Sequence, residues 1–196
     1  MRFVIAAGIF PPDIGGPATY ASSLANFLTQ RNHAVSVVTF SDMSGTDRTQ
    51  QFAIHRVRRG SVKIISHVRY FFKLLSLAYD ADMLFAQGPI AGGVQSYFVR
   101  LFSGTPYVVK ITGDYAWEQA TGRFGVYTSI EKFQKIQSGL PWQINLIRSM
   151  QQMVTAAARR VIVPSNYLRS LFSGWGVSKF RVVTIYNAVH EIQIVS

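Results

Sequence analysis

Two glycines, Gly15 and Gly16, stand directly before Pro17 and a helical pattern. Paired glycines let a ligand approach the backbone closely, and proline is tolerated in the first turn of a helix. The unpaired N–H groups at a helix start favour a phosphate or the oxygens of a sugar. A turn that needs positive φ is the alternative interpretation. The spacing matches neither G-x-G-x-x-G nor the P-loop motif, so neither of those sites is predicted.

Carboxylates that follow a short apolar strand form a second candidate site. Asp114 stands beside Gly113, and Glu118 lies four residues further along. A carboxylate at the carboxyl end of a strand can accept hydrogen bonds from hydroxyl groups or position a nucleophile. An aspartate after a glycine is also a common turn former. Lys110 lies within that strand, and we expect its charge to reach an end of the sheet or to pair with an acid.

No metal or nucleophile motif is found among the remaining reactive residue types. The sequence has no cysteine, which excludes a thiolate nucleophile and a cysteine zinc site. Its four histidines have no metal-ligand spacing and no Ser/His/Asp order. We therefore expect no metal and no cofactor.

The 196 residues include 20 Lys and Arg against 9 Asp and Glu, a formal net charge of +11, although 48% of the residues are hydrophobic. Basic nucleic-acid binders are usually polar, so this chain fits an anionic membrane surface or an anionic substrate at least as well. The cations can also serve solubility alone. The composition excludes a disordered chain, and no apolar run approaches the length of a membrane-spanning helix. We expect a cytoplasmic protein.

Basic residues are concentrated around one predicted helix. Seven of them and only one acid lie between residues 43 and 79. The apolar residues at helical spacing are Ile64, Val68, Phe71 or Phe72, and Leu75. This pattern is typical of a basic amphipathic helix, and we expect Arg69, Phe72 and Lys73 to contact a membrane. An ordinary surface helix packed on a sheet is the alternative.

Strands and helices alternate along the chain, which predicts an open, doubly wound, mainly parallel α/β sheet of the Rossmann-like type. The predicted strands are 3–7, 35–39, 52–57 (an edge strand), 83–86, 107–111, 161–163 and 182–185. Helices are predicted from Pro17 to a left-handed cap at Asn32, and over 63–79, 91–102, 142–158 and 166–172, the last capped by Ser165. Residues 43–51 are predicted as a polar loop and 115–140 as irregular.

Ligands of such sheets bind beyond the carboxyl ends of the strands. This rule places the predicted site in five segments of the chain. They are residues 9–16, 87–88, 112–118, 165–166 and Asn187.

Three stretches together resemble the GT4-type retaining glycosyltransferases. The first is Phe10-Pro11-Pro12 through Gly15-Gly16-Pro17, with Tyr20, Leu24-Ala25, Arg31-Asn32-His33 and Val35 to Thr39. The others are Val161 to Leu168, and Trp175-Gly176-Val177 followed by Val183 to Val189. The resemblance implies one half of a GT-B architecture, in which two Rossmann-like domains face each other across a cleft.

By this resemblance, residues 1–189 are the amino-terminal acceptor domain, and 190–196 begin the interdomain linker. The second domain, which binds the nucleotide-sugar donor and carries an E-x7-E motif, is expected to be absent, because the glutamates here have the wrong spacing. The implied function is transfer of a sugar, with retention, from a nucleotide sugar to a glycan or lipid-linked acceptor of the cell-envelope polysaccharide type. The chain alone is expected to be inactive.

The resemblance also implies roles for individual residues. Gly15 and Gly16 border the donor phosphates and the reacting sugar. The family often has a histidine after the strand 107–111, where this chain has Thr112-Gly113-Asp114, and Asp114 is the best substitute as a catalytic residue. The implied substrate-binding residues are Gly15, Gly16, Tyr20, Gly113, Tyr115, Glu118 and Asn187.

The implied location is cytoplasmic, peripheral on the inner face of the plasma membrane, with no nucleic acid as a partner. Two other interpretations stay open. One is a basic nucleic-acid-binding module, and the other is a nucleotide-binding α/β protein that works without a second domain.

Overall fold

The apolar runs of the sequence pair into one sheet. The structure is a computed structural model that describes residues 1–47, 51–172, 175 and 177–187. Its strands are β1 (Arg2–Ala7), β2 (Ala34–Ser41), β3 (Gly45–Asp47), β4 (Ala53–Arg58), β5 (Met83–Gln87), β6 (Tyr107–Lys110), β7 (Arg160–Val163) and β8 (Val182–Thr184). Within the described residues the sheet order is β3-β4-β2-β1-β5-β6-β7-β8, and only the β3–β4 pair is antiparallel.

The helices connect these strands. They are α1 (Gly16–Gln30), α2 (Lys63–Ala78), α3 (Gly93–Ser103), α4 (Tyr115–Phe124), α5 (Ile130–Lys135), α6 (Trp142–Ala157) and α7 (Asn166–Phe172). A π-helical turn, Gly88–Gly92, precedes α3, and a 3₁₀ turn, Lys179–Arg181, precedes β8. The cap after α1 is confirmed, because Asn32 has a φ of 61°. The Ser165 hydroxyl accepts a hydrogen bond from the Leu168 N–H at 3.2 Å, as predicted for α7.

Apolar side chains cover both faces of the sheet, which confirms the doubly wound α/β prediction. On one face, the strands pack against residues of α2, α3, α6 and α7, including Leu74, Val99 and Val154. On the other face they pack against α1, through Ala21 and Ala25. Strands buried on both faces need continuous apolar sequences rather than alternating ones, which is why β1 was recognisable.

Two local predictions are wrong. Residues 115–140 are not irregular but contain α4 and α5, which begin at the side-chain caps Asp114 and Ser129. These helices pack with α6 around a small core of their own, in which Phe133 and Ile144 are fully buried. The segment predicted as a polar loop contains β3, so β4 is an inner strand and not the edge.

The direction of chain winding reverses at β1. The chain passes from β1 to β2 and β4 on one side, and then returns to β5 on the other. The π-helical turn after β5 crosses the end of β1 so closely that a Cβ on Gly92 would lie 2.2 Å from the Ala6 carbonyl oxygen. Such a switch point leaves a crevice at the carboxyl edge, where the loops that follow β1, β5 and β6 come together.

Candidate functional site

The glycine turn between β1 and α1 has one side open to solvent. Gly15 has φ +155°, a conformation that side chains rarely adopt, and its carbonyl oxygen accepts the Thr19 N–H at 3.1 Å. Gly16 is exposed, and a Cβ there would have no neighbour within 4 Å. The backbone therefore requires a glycine only at position 15, whereas Gly16 leaves space for a ligand. Ile14, just before the turn, is 99% exposed.

Two arginines hold the segment that leads into this turn. Arg56 donates a hydrogen bond to the Pro11 carbonyl oxygen at 2.8 Å. Arg59 forms an ion pair with Asp13 and a second one, at 3.3 Å, with Asp42. The Arg59 hydrogen bond lowers the pKa of Asp13, which keeps that carboxylate ionised. The sequence had given no partner for any of these residues.

Tyr20, Lys110 and Asn187 come together at the carboxyl edge. The Tyr20 ring stacks on Phe85, with centroids 6.2 Å apart. The Lys110 ammonium lies 3.0 Å from the centroid of the Tyr20 ring and donates to Asn187 Oδ1 at 2.6 Å. Lys110 therefore reaches the end of the sheet, as predicted, but its described partners are an aromatic ring and an amide rather than an acid.

Burial is the main electrostatic influence on this lysine. The residue is only 1% exposed, and desolvation lowers the pKa of Lys110 to about 8. A cation–π contact and one amide oxygen stabilise the charged form, but they replace only part of its hydration. Burial also raises the pKa of the Tyr20 hydroxyl above its ordinary value.

Gln87 adds an acceptor to this group. It ends β5, and its Cα is paired in register with that of Lys110 on β6, so both side chains leave the same face of the sheet. The residue is 94% buried, yet among the described residues its Oε1 has no hydrogen-bond donor. Buried acceptors are usually satisfied, and a ligand hydroxyl bound here would supply the missing donor. Sequence analysis marked residues 87–88 only by their position after a strand.

Asp114, the predicted catalytic residue, caps α4. It is 3% exposed, and its Oδ1 accepts hydrogen bonds from Ala116 N at 3.0 Å, Trp117 N at 3.2 Å and Gln151 Nε2 at 3.0 Å. Gln151 is itself fully buried and also accepts the Ala116 N–H at 2.8 Å. These contacts give Asp114 a structural task, and its catalytic role stays a prediction.

Glu118 is the more accessible of the two carboxylates. It is exposed in the first turn of α4, and a Cβ on Gly113 would lie 2.6 Å from Glu118 Oε1, so the carboxylate reaches back over Gly113. Partial desolvation, helped by the Asp114 charge, raises the pKa of Glu118. Tyr115 is half-buried at the start of the same helix. Gly113, Tyr115 and Glu118 therefore share the loop that follows β6.

The predicted membrane-contacting residues lie elsewhere, on the outer side of α2. The stripe of α2 that faces the sheet is Ser66, Tyr70, Leu74 and Ala78. The predicted apolar stripe is divided, because Ile64 is 74% and Phe72 62% exposed, whereas Phe71 and Leu75 are partly buried against the core. Arg69 is exposed and Lys73 half-buried. Of the apolar residues at helical spacing, Phe71 and Leu75 therefore add to the core contact, and Ile64, Val68 and Phe72 form an exposed apolar surface.

In the part of the chain that the structure describes, no group of three or more His, Asp or Glu side chains is placed to hold a metal ion. Over the same residues, no helix combines the length and the apolar character needed to cross a bilayer.

Comparison with known proteins identifies a family to which the chain is similar. The chain matches the model of the glycosyl transferase 4-like domain over residues 15–188, nearly its whole length. Comparison with the curated proteins gives no match.

Solved structures share the fold. Sucrose-phosphate synthase from Thermosynechococcus elongatus aligns with a TM-score of 0.73 and 12% identity, over 96% of this chain and 48% of that one. HepE from Anabaena, in complex with UDP, aligns with a TM-score of 0.61 and 14% identity, over 96% and 44%. UDP-GlcNAc 2-epimerase from Methanocaldococcus jannaschii aligns with a TM-score of 0.58 and 11% identity, over 94% of this chain and 45% of that one. The chain spans about half the length of these relatives.

The burial of Lys110 makes a prediction about stability. Because its pKa is about 8 in the folded chain against 10.5 ordinarily, the unfolded chain binds more protons between these pH values, and the free energy of unfolding rises across that interval. Lys110→Met removes the buried charge. We expect the variant to be more stable than wild type at neutral pH by about 1–3 kcal/mol, and the difference to disappear towards pH 10.5. Urea unfolding of both proteins between pH 7 and about pH 10.5 measures this difference in the free energy of unfolding. A difference that does not change with pH would contradict the prediction.

The capping role of Asp114 makes a second prediction. Asp114→Ala removes the cap of α4 and leaves the buried Gln151 amide without an acceptor, so we expect a loss of about 2 kcal/mol in the free energy of unfolding. Asp114→Asn keeps an oxygen in the same place and should lose less than half as much. Chemical denaturation of both variants measures the difference. Wild-type stability in Asp114→Ala would show that the carboxylate is not needed as a cap.

Proposed function

Because this chain belongs to the glycosyl transferase 4-like domain family, we propose that it is the acceptor-binding half of a retaining glycosyltransferase. In this proposal a sugar moves from a nucleotide-sugar donor to a hydroxyl of a glycan or lipid-linked acceptor. The family membership itself makes the chain a glycosyltransferase domain. The acceptor, the retention of configuration and the division into two halves are what we propose.

The single observation that carries the proposal is the composition of the carboxyl edge. The open glycine turn at Gly16, the unsatisfied acceptor on Gln87 and the buried Lys110 all belong to loops or strand ends around β1, β5 and β6. The exposed Glu118 carboxylate belongs to the loop that follows β6. Hydrogen-bonding groups, one cation and an accessible backbone together suit a polyhydroxylated substrate better than a flat macromolecule.

Sugar transfer needs an acceptor hydroxyl held close to the anomeric carbon and positive charge near the departing diphosphate. We assign Glu118 to the acceptor hydroxyl, because it is the accessible carboxylate at this edge. Gly16 allows the reacting sugar to approach the backbone. Lys110, with Tyr20 and Asn187 around it, holds a positive charge directly below the crevice.

The donor is proposed to be held mainly by a second half. HepE, which shares the fold, was solved with UDP, and this chain covers 44% of that protein. A UDP-sugar is therefore the first donor to test. Val183 and Ile185, which lie on the sheet face that α1 covers only in part, are 37% and 45% exposed. Apolar area of this kind suits a domain that packs against further polypeptide.

The other two interpretations have less support. A nucleic-acid-binding module does not account for the family match over residues 15–188. A self-sufficient nucleotide-binding protein would need its own nucleotide site, and the test below separates it from the acceptor domain.

We also propose that the protein binds the inner face of the plasma membrane through one surface, the α2–α3 face. Its exposed apolar side chains are Ile64, Ile65, Val68 and Phe72 of α2 with Phe98, Leu101 and Phe102 of α3. The two helices touch through Phe71 and Phe102, whose ring centroids are 5.7 Å apart. Arg69 and Lys73 flank the apolar side chains and can meet anionic headgroups while the aromatic rings enter the interface.

Calorimetry and a transfer assay test the proposed function. Residues 1–196 alone should bind UDP-glucose only weakly, with a Kd above about 1 mM. A polypeptide in which these residues are joined to the proposed donor-binding half should transfer the sugar, and proton NMR of the product should show the anomeric configuration of the donor. In that polypeptide, Glu118→Gln should lower kcat by about tenfold or more, because the amide oxygen still accepts a hydrogen bond but lacks the charge and the basicity with which a carboxylate draws the proton of the acceptor hydroxyl.

Glu131→Gln, which neutralises an exposed acid on α5, is the matched control and should retain activity. Micromolar binding of UDP-glucose by residues 1–196 alone would instead support the self-sufficient nucleotide-binding protein.

Charge reversal tests the membrane surface. Arg69→Glu with Lys73→Glu should weaken binding of residues 1–196 to vesicles that contain anionic lipid, measured by cosedimentation, by about thirtyfold or more, because each basic residue near the surface contributes about 1 kcal/mol. The control, Lys132→Glu with Lys135→Glu, makes the same change in net charge on the exposed face of α5. Equal loss in both double variants would mean that net charge alone, and not the α2–α3 face, attracts the protein to the vesicles.

A further inference from the structure

A cavity of about 220 Å³ opens where β2 and β4 end and α2 begins. Its lining includes Phe40, Arg59, Gly60, Lys63, Ser66 and His67. Three of these side chains carry N–H donors, and no carboxylate lines the cavity among the described residues. The cavity lies on the same sheet edge as the glycine turn but is separate from the Tyr20–Lys110 group.

The His67 ring supplies a hydrogen-bond donor at its Nε2 atom. The Gln95 Nε2 amide lies 3.1 Å from His67 Nδ1 and donates to it, so the neutral ring carries its proton on Nε2. Gln95 is 92% buried, which fixes the ring from behind. The Phe40 ring packs edge-on against the imidazole, with centroids 5.0 Å apart. Burial, and secondarily the Lys63 charge, lower the pKa of His67.

The segment between β4 and α2, on the other side of the cavity, is fixed by hydrogen bonds to Ser66. The Ser66 hydroxyl accepts the Gly60 N–H at 2.9 Å and donates to the Arg58 carbonyl oxygen at 3.0 Å. Arg59 pairs with Asp13 and Asp42, which neutralise much of its charge. Lys63 forms no ion pair among the described residues, so its ammonium is the principal net charge at the cavity.

The cavity adjoins the α2–α3 face. Lys63, Ser66 and His67 line the cavity, while Ile64, one residue after Lys63, is already part of the exposed apolar surface. A molecule with an anionic head and an apolar tail could therefore place its head among the donors while the tail stays in the lipid. The volume suits a phosphate with its ester group or a few waters, since a water takes about 30 Å³.

We propose that this cavity binds a phosphate group of the acceptor, carried on a membrane lipid. Lys63 supplies the charge and His67 Nε2 a directed donor, and charge-assisted hydrogen bonds of this kind are the strong ones. The inference rests on the proposed function, because it names the class of acceptor. It predicts that the acceptor arrives from the bilayer with its phosphate bound beside the sheet edge.

Binding measurements on residues 1–196 test this proposal with two probes that both carry a phosphate monoester. The first is sn-glycerol 3-phosphate in solution, measured by calorimetry and by the NMR titration of the His67 ring. The second is phosphatidic acid in phosphatidylcholine vesicles, measured by cosedimentation. Lys63→Ala and His67→Ala should each weaken binding of the phosphate by about tenfold or more. Lys132→Ala removes the same charge from the exposed side of α5, outside the cavity and the α2–α3 face, and should leave binding of both probes unchanged.

The outcomes separate the sources of the phosphate. Tight binding of phosphatidic acid that depends on Lys63 and His67, with much weaker binding of glycerol 3-phosphate, supports the lipid-borne acceptor. Equal affinity for both probes overturns the proposal that a membrane lipid carries the phosphate, and leaves a site for a soluble phosphate. Equal effects of Lys63→Ala, His67→Ala and Lys132→Ala, with no titration shift of the His67 ring, overturn the site itself. None of these results depends on sugar transfer, so the proposed function fails or stands separately in the transfer assay.

Discussion

The burial of the Lys110 ammonium at the end of β6 is the constraint on which the carboxyl edge depends. An isolated charge in a protein interior is costly, and this one has only the Tyr20 ring and the Asn187 amide as described partners. Those partners come from α1 and from the segment after β8, so the lysine links three distant parts of the chain. A methionine would fill the same space at lower cost, which indicates that the charge serves a function rather than stability.

The polar groups around this lysine divide into those that build the edge and those left for a ligand. Arg56 and Arg59 hold the segment before the glycine turn, and Gln151 with Asp114 fixes the start of α4. Apart from Nη1 of Arg56, which is buried without a hydrogen-bond partner among the described residues, these groups are satisfied within the protein. The Gln87 acceptor is not, and Glu118 remains exposed. A substrate that brings several hydroxyl groups would complete the second set without disturbing the first, which agrees with a glycosyltransferase domain.

The sequence was sufficient for features that depend on local pattern. Apolar runs identified the buried strands, and Asn32 and Ser165 identified helix ends, because capping acts over a few residues. It was insufficient where distant residues decide the outcome. Lys110 and Asn187 are 77 residues apart, and Asp114 and Gln151 are 37 apart, so neither pair could be inferred from spacing. Helical periodicity in α2 also could not tell which stripe faces the sheet, because both stripes contain apolar residues.

Amide chemical-shift mapping of residues 1–196 with millimolar UDP-glucose shows whether substrate binds this chain at the carboxyl edge of β1, β5 and β6. We expect weak binding in fast exchange, with the largest shifts at Gly15, Gly16 and Gly113. Shifts concentrated instead at the opposite edge, around Arg159 and Arg181, would contradict this expectation.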